Sequence, residues 1–208
     1  MSRLFASTSA LSFFLVGLML PVSFSHAQSL QPNTDLVNSA VVDDLRKFLE
    51  TDIVRLSVEN QNTKYQKLEQ AKIDQLDGEW RTETKSDDQP LISATMSSPL
   101  SSYLTRMQAD SKGLYTALFV MDQNGLNVGQ SAITSDYWQG DEPKFQKTFP
   151  VGPKAVFIDD PEFDKDLGIW VVQANITVSD DARQKSIGSA TVDINLTELA
   201  RRKGATIF

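Results

Sequence analysis

Apolar positions change their spacing twice along the 208-residue chain. Leu36, Val37, Ala40, Val41, Leu45, Phe48, Leu49, Ile53 and Leu56 recur at three- and four-residue steps, which predicts an amphipathic helix with one apolar stripe. Thr34 or Asp35, just ahead of it, can accept the orphan N–H groups of a first turn. Tyr65, Leu68, Ile73 and Leu76 extend a sparser stripe, with Gly78 as its stop. The spacing fits one helical run equally with two helices parted at Asn60-Gln61-Asn62. Residues 79–90 are polar and read as a loop. Pro99 then opens a short helix through Met107, at a position where its missing N–H costs nothing.

From Leu114 the period falls to two. Residues 114–121 and 126–133 read as strands joined by the turn Asp122-Gln123-Asn124-Gly125, whose Asn-Gly tolerates positive φ. An irregular insert follows, residues 134–150, with a short helical piece at 143–148. Residues 156–158 read as a short strand, 159–168 as an acidic turn, and 169–178 and 186–195 as long strands. Residues 196–203 close the chain as a helix. Helices followed by strands in this order predict one α+β domain, a long N-terminal helix packed on a five-stranded antiparallel sheet. Side chains alternate faces along a strand, so Trp170, Val172, Ala174, Ile176 and Val178 share a dry face with Gly188, Ala190, Val192 and Ile194. The opposite face carries Gln173, Asn175, Thr177, Ser189, Thr191 and Asp193. Such a face can meet water or line a pocket, and the insert is its one candidate cover.

Composition narrows the chemistry. With 27 acidic against 20 basic side chains and a net charge of -7, the chain lacks the electrostatic footprint of a nucleic-acid binder. Without cysteine there are no disulfides, thiolate metal sites or cysteine nucleophiles. The single histidine, His26, falls in residues 1–27, which read as a signal peptide: Arg3, an apolar run at 11–20, and the small-x-small site Ser25-His26-Ala27 before Gln28. Even taken as 11–22, with Pro21 breaking it, the run is short of the roughly 20 residues that span a bilayer. Removal of the leader leaves residues 28–208 without histidine, so histidine bases and histidine metal ligands are unavailable. The expectation is a soluble periplasmic protein with no cofactor and no enzymatic activity.

Three segments carry a resemblance: Leu118-Phe119-Val120-Met121-Asp122-Gln123-Asn124-Gly125, Asp136-Tyr137-Trp138-Gln139-Gly140, and Ile187-Gly188-Ser189-Ala190-Thr191-Val192-Asp193-Ile194-Asn195-Leu196. Over residues 35–199 the chain resembles the Cache family of extracytoplasmic, PAS-like sensor domains. The resemblance implies a single sensor domain over 28–208, with a helical region at 34–77, a PAS-like core at 99–199, and a small ligand enclosed between sheet and insert. It also implies that Asp193 matches the acidic residue that holds the ligand ammonium in amine- and amino-acid-binding relatives. Tyr137, Trp138, Phe119, Gln173, Asp136 and Asp141 are the further candidate ligand-binding residues, since aromatic faces beside carboxylates attract a cation. Core packing of Tyr137 and Trp138, and a structural hydrogen bond at Asp193, are the competing readings.

The chain departs from the family where amino-acid sensors place an Arg before the aromatic pair, for it has Thr134-Ser135-Asp136. A ligand carboxylate would need Lys144, Lys147 or Lys154 instead. The expected partners are a small molecule, amine or amino-acid-like, a membrane receptor or kinase that carries the signal onward, and a second copy in a homodimer. The alternative is a periplasmic interaction or assembly protein with a vestigial pocket. Asp159, Asp160, Glu162, Asp164 and Asp166 crowd one turn without the ordered spacing of a calcium loop, and read as a solvated hairpin.

Overall fold

The computed structural model describes residues 31–66 and 68–208, so the predicted leader lies outside the described residues. Seven α-helices and six strands are present among them: α1 (Ser39–Leu49), α2 (Asp52–Lys64), α3 (Gln70–Glu83), α4 (Pro90–Met96), α5 (Pro99–Asp110), β1 (Tyr115–Met121), β2 (Asn127–Gln130), α6 (Pro143–Gln146), β3 (Val156–Ile158), β4 (Glu162–Asp164), β5 (Ile169–Ser179), β6 (Ser186–Asn195) and α7 (Leu196–Lys203). The strands form one antiparallel sheet in the order β2-β1-β6-β5-β3, with β4 beside β3 on the outer edge of β5. The fold is α+β, as the hydrophobic pattern predicts.

The predicted long helix is broken at Glu50-Thr51 rather than at Asn60. Val41, Leu45 and Leu49 are the buried residues of α1, and Val54 and Val58 those of α2. Five residues separate Leu49 from Val54, about 140° out of phase in an unbroken helix at 100° per residue. A break therefore lets both stripes face the same sheet. Thr51 is extended at φ -107° and ψ 156°, and its hydroxyl donates to the Phe48 carbonyl at 3.0 Å. Gln61 and Asn62 lie inside α2 and are polar for a tertiary reason: Gln61 donates to the Asp122 carboxylate at 3.1 Å, and Asn62 donates to the Ile187 carbonyl at 2.7 Å.

Two further expectations are corrected. Gly78 is interior to α3, and the stretch expected as a loop, residues 79–90, begins inside α3, which runs to Glu83, and ends on Pro90, the first residue of α4. Within the acidic turn, Glu162–Asp164 is a sixth strand that pairs Val171, Trp170 and Ile169.

Packing divides the sheet by face. Leu118, Val120, Val172, Ala174, Ile176, Ala190, Val192 and Ile194 form the core with Leu45, Val54, Val58, Leu100, Leu104 and Leu199 of the helical layer. The β1–β2 turn is fixed by Asp122, fully buried, whose Oδ1 accepts the N–H groups of Asn124 at 2.7 Å and Leu126 at 3.0 Å, while Gly125 takes φ +80°. Gly188 permits the close approach of β6 to β1, because a Cβ there would run into the Met121 carbonyl oxygen.

Candidate functional site

The sheet face opposite the helical core is polar, and α6 with its flanks covers part of it. Phe145 and Phe149 pack on Phe119 and Met121, and the Thr148 and Ser189 hydroxyls share a hydrogen bond of 2.7 Å. Thr191 donates to the Asn175 side-chain oxygen at 2.7 Å. Toward the end of the sheet where Asp193 and Gln173 are cross-strand partners this cover stops. A cavity of about 510 Å³ is left there, lined by Thr116, Val171, Gln173 and Asp193 on the sheet, Glu142, Pro143 and Lys144 on the insert, and Asp159, Asp160, Glu162, Phe163 and Asp164 on the β3–β4 side.

Its electrostatics are one-sided: six carboxylates and a single ammonium, that of Lys144. Asp193 is the innermost acid. Its Oδ1 is buried and has no hydrogen-bond partner, a condition that ordinarily costs a carboxylate its full desolvation penalty. Burial accordingly pushes the Asp193 carboxyl up to about 6, Glu162 and Asp164 adding to the rise while Lys144 and the Gln173 amide oppose it. Lys144 is itself pinned. Its Nζ lies 2.9 Å from Glu142 Oε2, donates to the Gln139 side-chain oxygen at 3.3 Å, and sits 5.4 Å from the Phe119 ring centroid.

Of the seven residues singled out in the sequence, Asp193 and Gln173 line this cavity. Phe119, buried, stands behind it under Lys144. Tyr137 belongs elsewhere: it is buried and stacked on Trp80 at a centroid separation of 5.2 Å, in a cluster with Ile73, Leu76 and Ile92 of α3 and α4. Trp138 packs on that cluster and donates its indole N–H to the Asn124 carbonyl at 2.8 Å. Asp136 accepts from Gln139 Nε2 at 2.6 Å and faces Arg81 at 3.5 Å, while Asp141 is exposed. The aromatic pair thus anchors the insert to α3, helped by Asp77, whose Oδ1 accepts the N–H groups of Tyr137 at 2.9 Å and Trp138 at 3.1 Å.

No protein-family model matches the chain, and no curated protein matches it in sequence. Among solved structures it is similar to the extracellular domain of a protein named as a histidine kinase, at 15% identity and a TM-score of 0.41, over 51% of this chain and 44% of that one. It is similar also to the sensory domain of the Campylobacter jejuni chemoreceptor Tlp3, at 13% identity and a TM-score of 0.38, over 81% and 65%. A third is the ligand-binding domain of the Pseudomonas aeruginosa amino acid chemoreceptor PctC in complex with GABA, at 12% identity and a TM-score of 0.36, over 76% and 66%. The chain spans less than two thirds of the length of each. Scores of this size describe a general outline and do not transfer a site, so the chemistry rests on the cavity itself.

The cavity residues missed as site residues are Glu142, Asp159, Asp160, Glu162 and Asp164. The last four were visible as an acidic turn and read as a solvated hairpin; alternation was the further signal. Glu162 and Asp164 are two apart around Phe163, the spacing of side chains on one strand face.

Proposed function

We propose that the protein is an extracytoplasmic sensor module, without enzymatic activity, that binds a small molecule carrying an ammonium group and signals through a membrane receptor or kinase. The observation that carries this reading is the buried, unpartnered Oδ1 of Asp193 in a cavity with five further carboxylates and one ammonium already engaged by Glu142. A ligand N–H donor satisfies that oxygen and neutralises the charge in one step, which is worth about 1.5–3 kcal/mol for a hydrogen bond to a charged group. Asp193 and Gln173 hold the ammonium, Lys144 forms part of the wall with Phe119 behind it, and Tyr137, Trp138 and Asp136 act by shaping the insert. Calorimetric titration of amines and of plain organic acids tests it: amines bind, and Asp193→Asn weakens them by about tenfold or more. Tighter binding of a carboxylate lacking an amine, or unchanged amine affinity in Asp193→Asn, overturns the assignment.

The same reading has residues 1–27 removed on export and the mature chain, 28–208, act as one domain in the periplasm. N-terminal sequencing of the exported protein should return Gln28; Met1 retained in a membrane fraction contradicts it. No described helix is long and apolar enough to cross a membrane. Self-association through the helical layer is the second reading, favoured by Leu56, 53% exposed on α2.

A further inference from the structure

The charges of the acidic cavity are not gathered at one point. Asp193 stands on β6 with Gln173 opposite it on β5. Three further acids come from the far edge of β5: Asp159, whose N–H donates to the Gln173 carbonyl at 3.0 Å, and Glu162 and Asp164, paired with Val171 and Ile169. Strands lie about 4.8 Å apart, so the inner and outer acids are two strand spacings, about 10 Å, apart at the backbone. Among the described residues no three acidic side chains converge where they could hold a metal ion. Anions held apart in one cavity select a ligand whose cations are held apart. The Lys144 ammonium is occupied by Glu142 and Gln139 at 2.9 Å and 3.3 Å, so the lining has no uncommitted cation with which to receive a ligand carboxylate.

Resting on the amine-sensing reading above, we infer that the cavity takes an aliphatic diamine or polyamine, with one ammonium on the buried oxygen of Asp193 and the next against Glu162 and Asp164. The methylene chain between them crosses Val171 and the flank of Gln173, both part of the lining. Monoamines leave the outer acids unpaired. Amino acids bring a carboxylate into their field.

The test is calorimetric titration of 1,4-diaminobutane, spermidine, butylamine and 4-aminobutyrate into the protein near neutral pH. The diamine is expected to bind at least about tenfold more tightly than butylamine, the factor supplied by one charge-assisted hydrogen bond, with 4-aminobutyrate weakest. The double variant Glu162→Gln, Asp164→Asn should bring the diamine down to the level of butylamine and leave butylamine unchanged, whereas Asp193→Asn weakens both. Glu162 is exposed, and Asn at 164 keeps the side-chain oxygen that accepts the Asp166 and Leu167 N–H groups at 2.9 Å, so the fold is retained. If the diamine binds no better than butylamine, if 4-aminobutyrate binds best, or if the double variant leaves diamine affinity intact, the inference is overturned. Butylamine binding that still depends on Asp193 would then leave the amine-sensing reading standing, and failure of every amine sinks both.

Discussion

A buried carboxylate oxygen without a partner destabilises the fold that holds it, and a cation placed on it would relieve that cost. Asp193 ordinarily titrates near 3.8 and in the fold near 6. Between those values the unfolded chain has released its proton and the folded chain has not, so stability falls as pH rises through that window. At 1.36 kcal/mol per pKa unit the loss is on the order of 3 kcal/mol by neutral pH. Asp193→Asn should therefore be more stable than wild type near neutral pH and no more stable below pH about 4, where Asp193 is protonated in both states. Urea unfolding of both proteins at the two pH values measures the difference, and a constant difference contradicts it. Amine affinity, by the same linkage, should rise with pH through about 6 as the carboxylate ionises, then level off. At this scale the sequence was legible where period two decides: Asp193 and Gln173 fall on the polar face by alternation alone. It was illegible for Tyr137 and Trp138, since an aromatic residue in an irregular insert serves a pocket and a core equally well. Here the deciding partner, Trp80, lies 57 positions from Tyr137 in the sequence and donates its indole N–H to the Thr134 carbonyl at 2.9 Å.

The elements that escaped the sequence are those stabilised from a distance. Gln89, which precedes α4, makes no side-chain capping bond. The cap comes from α3: Glu83, buried, accepts the Leu91 N–H at 3.0 Å and the Ile92 N–H at 2.8 Å through its two carboxylate oxygens. A carboxylate there answers both the orphan donors and the positive end of the helix. Pro90 in the first turn is the one local signal of its start, and without a capping side chain before it that signal does not set the helix apart from the polar loop that ends there. Glu83→Ala should cost about 2 kcal/mol by stranding two donors, the one at Ile92 buried and the one at Leu91 half-buried. Hydrogen exchange at the Leu91 and Ile92 amides should accelerate well before that of the β5–β6 ladder. Exchange that speeds up uniformly over the molecule would locate the role of Glu83 outside α4. By contrast α5 was legible at its start through Pro99, and the caps of α5 and α7 are local: Ser98 accepts from the Ser101 N–H at 3.0 Å and Asn195 from the Glu198 N–H at 3.0 Å.

At the scale of the whole molecule, one core joins the helical layer to β1, β5 and β6, and the same strands turn their other face to the cavity. Occupancy at Asp193 is therefore coupled to the global unfolding transition, and a bound amine should raise its midpoint as RT ln(1 + [L]/Kd). The outer surface of the helical layer is a separate matter. Between α2 and α5 runs a groove of about 430 Å³ that includes Ile53, Leu56, Pro99, Leu100 and Val128, with Asn60 and Lys64 along it. Leu56 is 53% exposed on α2, one turn from the half-buried Ile53. A second copy laid across the groove about a two-fold axis would bury Leu56 against its own counterpart surface, the self-complementary arrangement of an isologous dimer. Because Leu56 makes little of the monomer core, Leu56→Glu should leave the unfolding midpoint of the isolated chain within about 0.5 kcal/mol of wild type. It should nonetheless shift the sedimentation coefficient from dimer to monomer at tens of micromolar. Wild type that already sediments as a monomer at that concentration, or a Leu56→Glu variant that remains a dimer, removes this surface from the assembly.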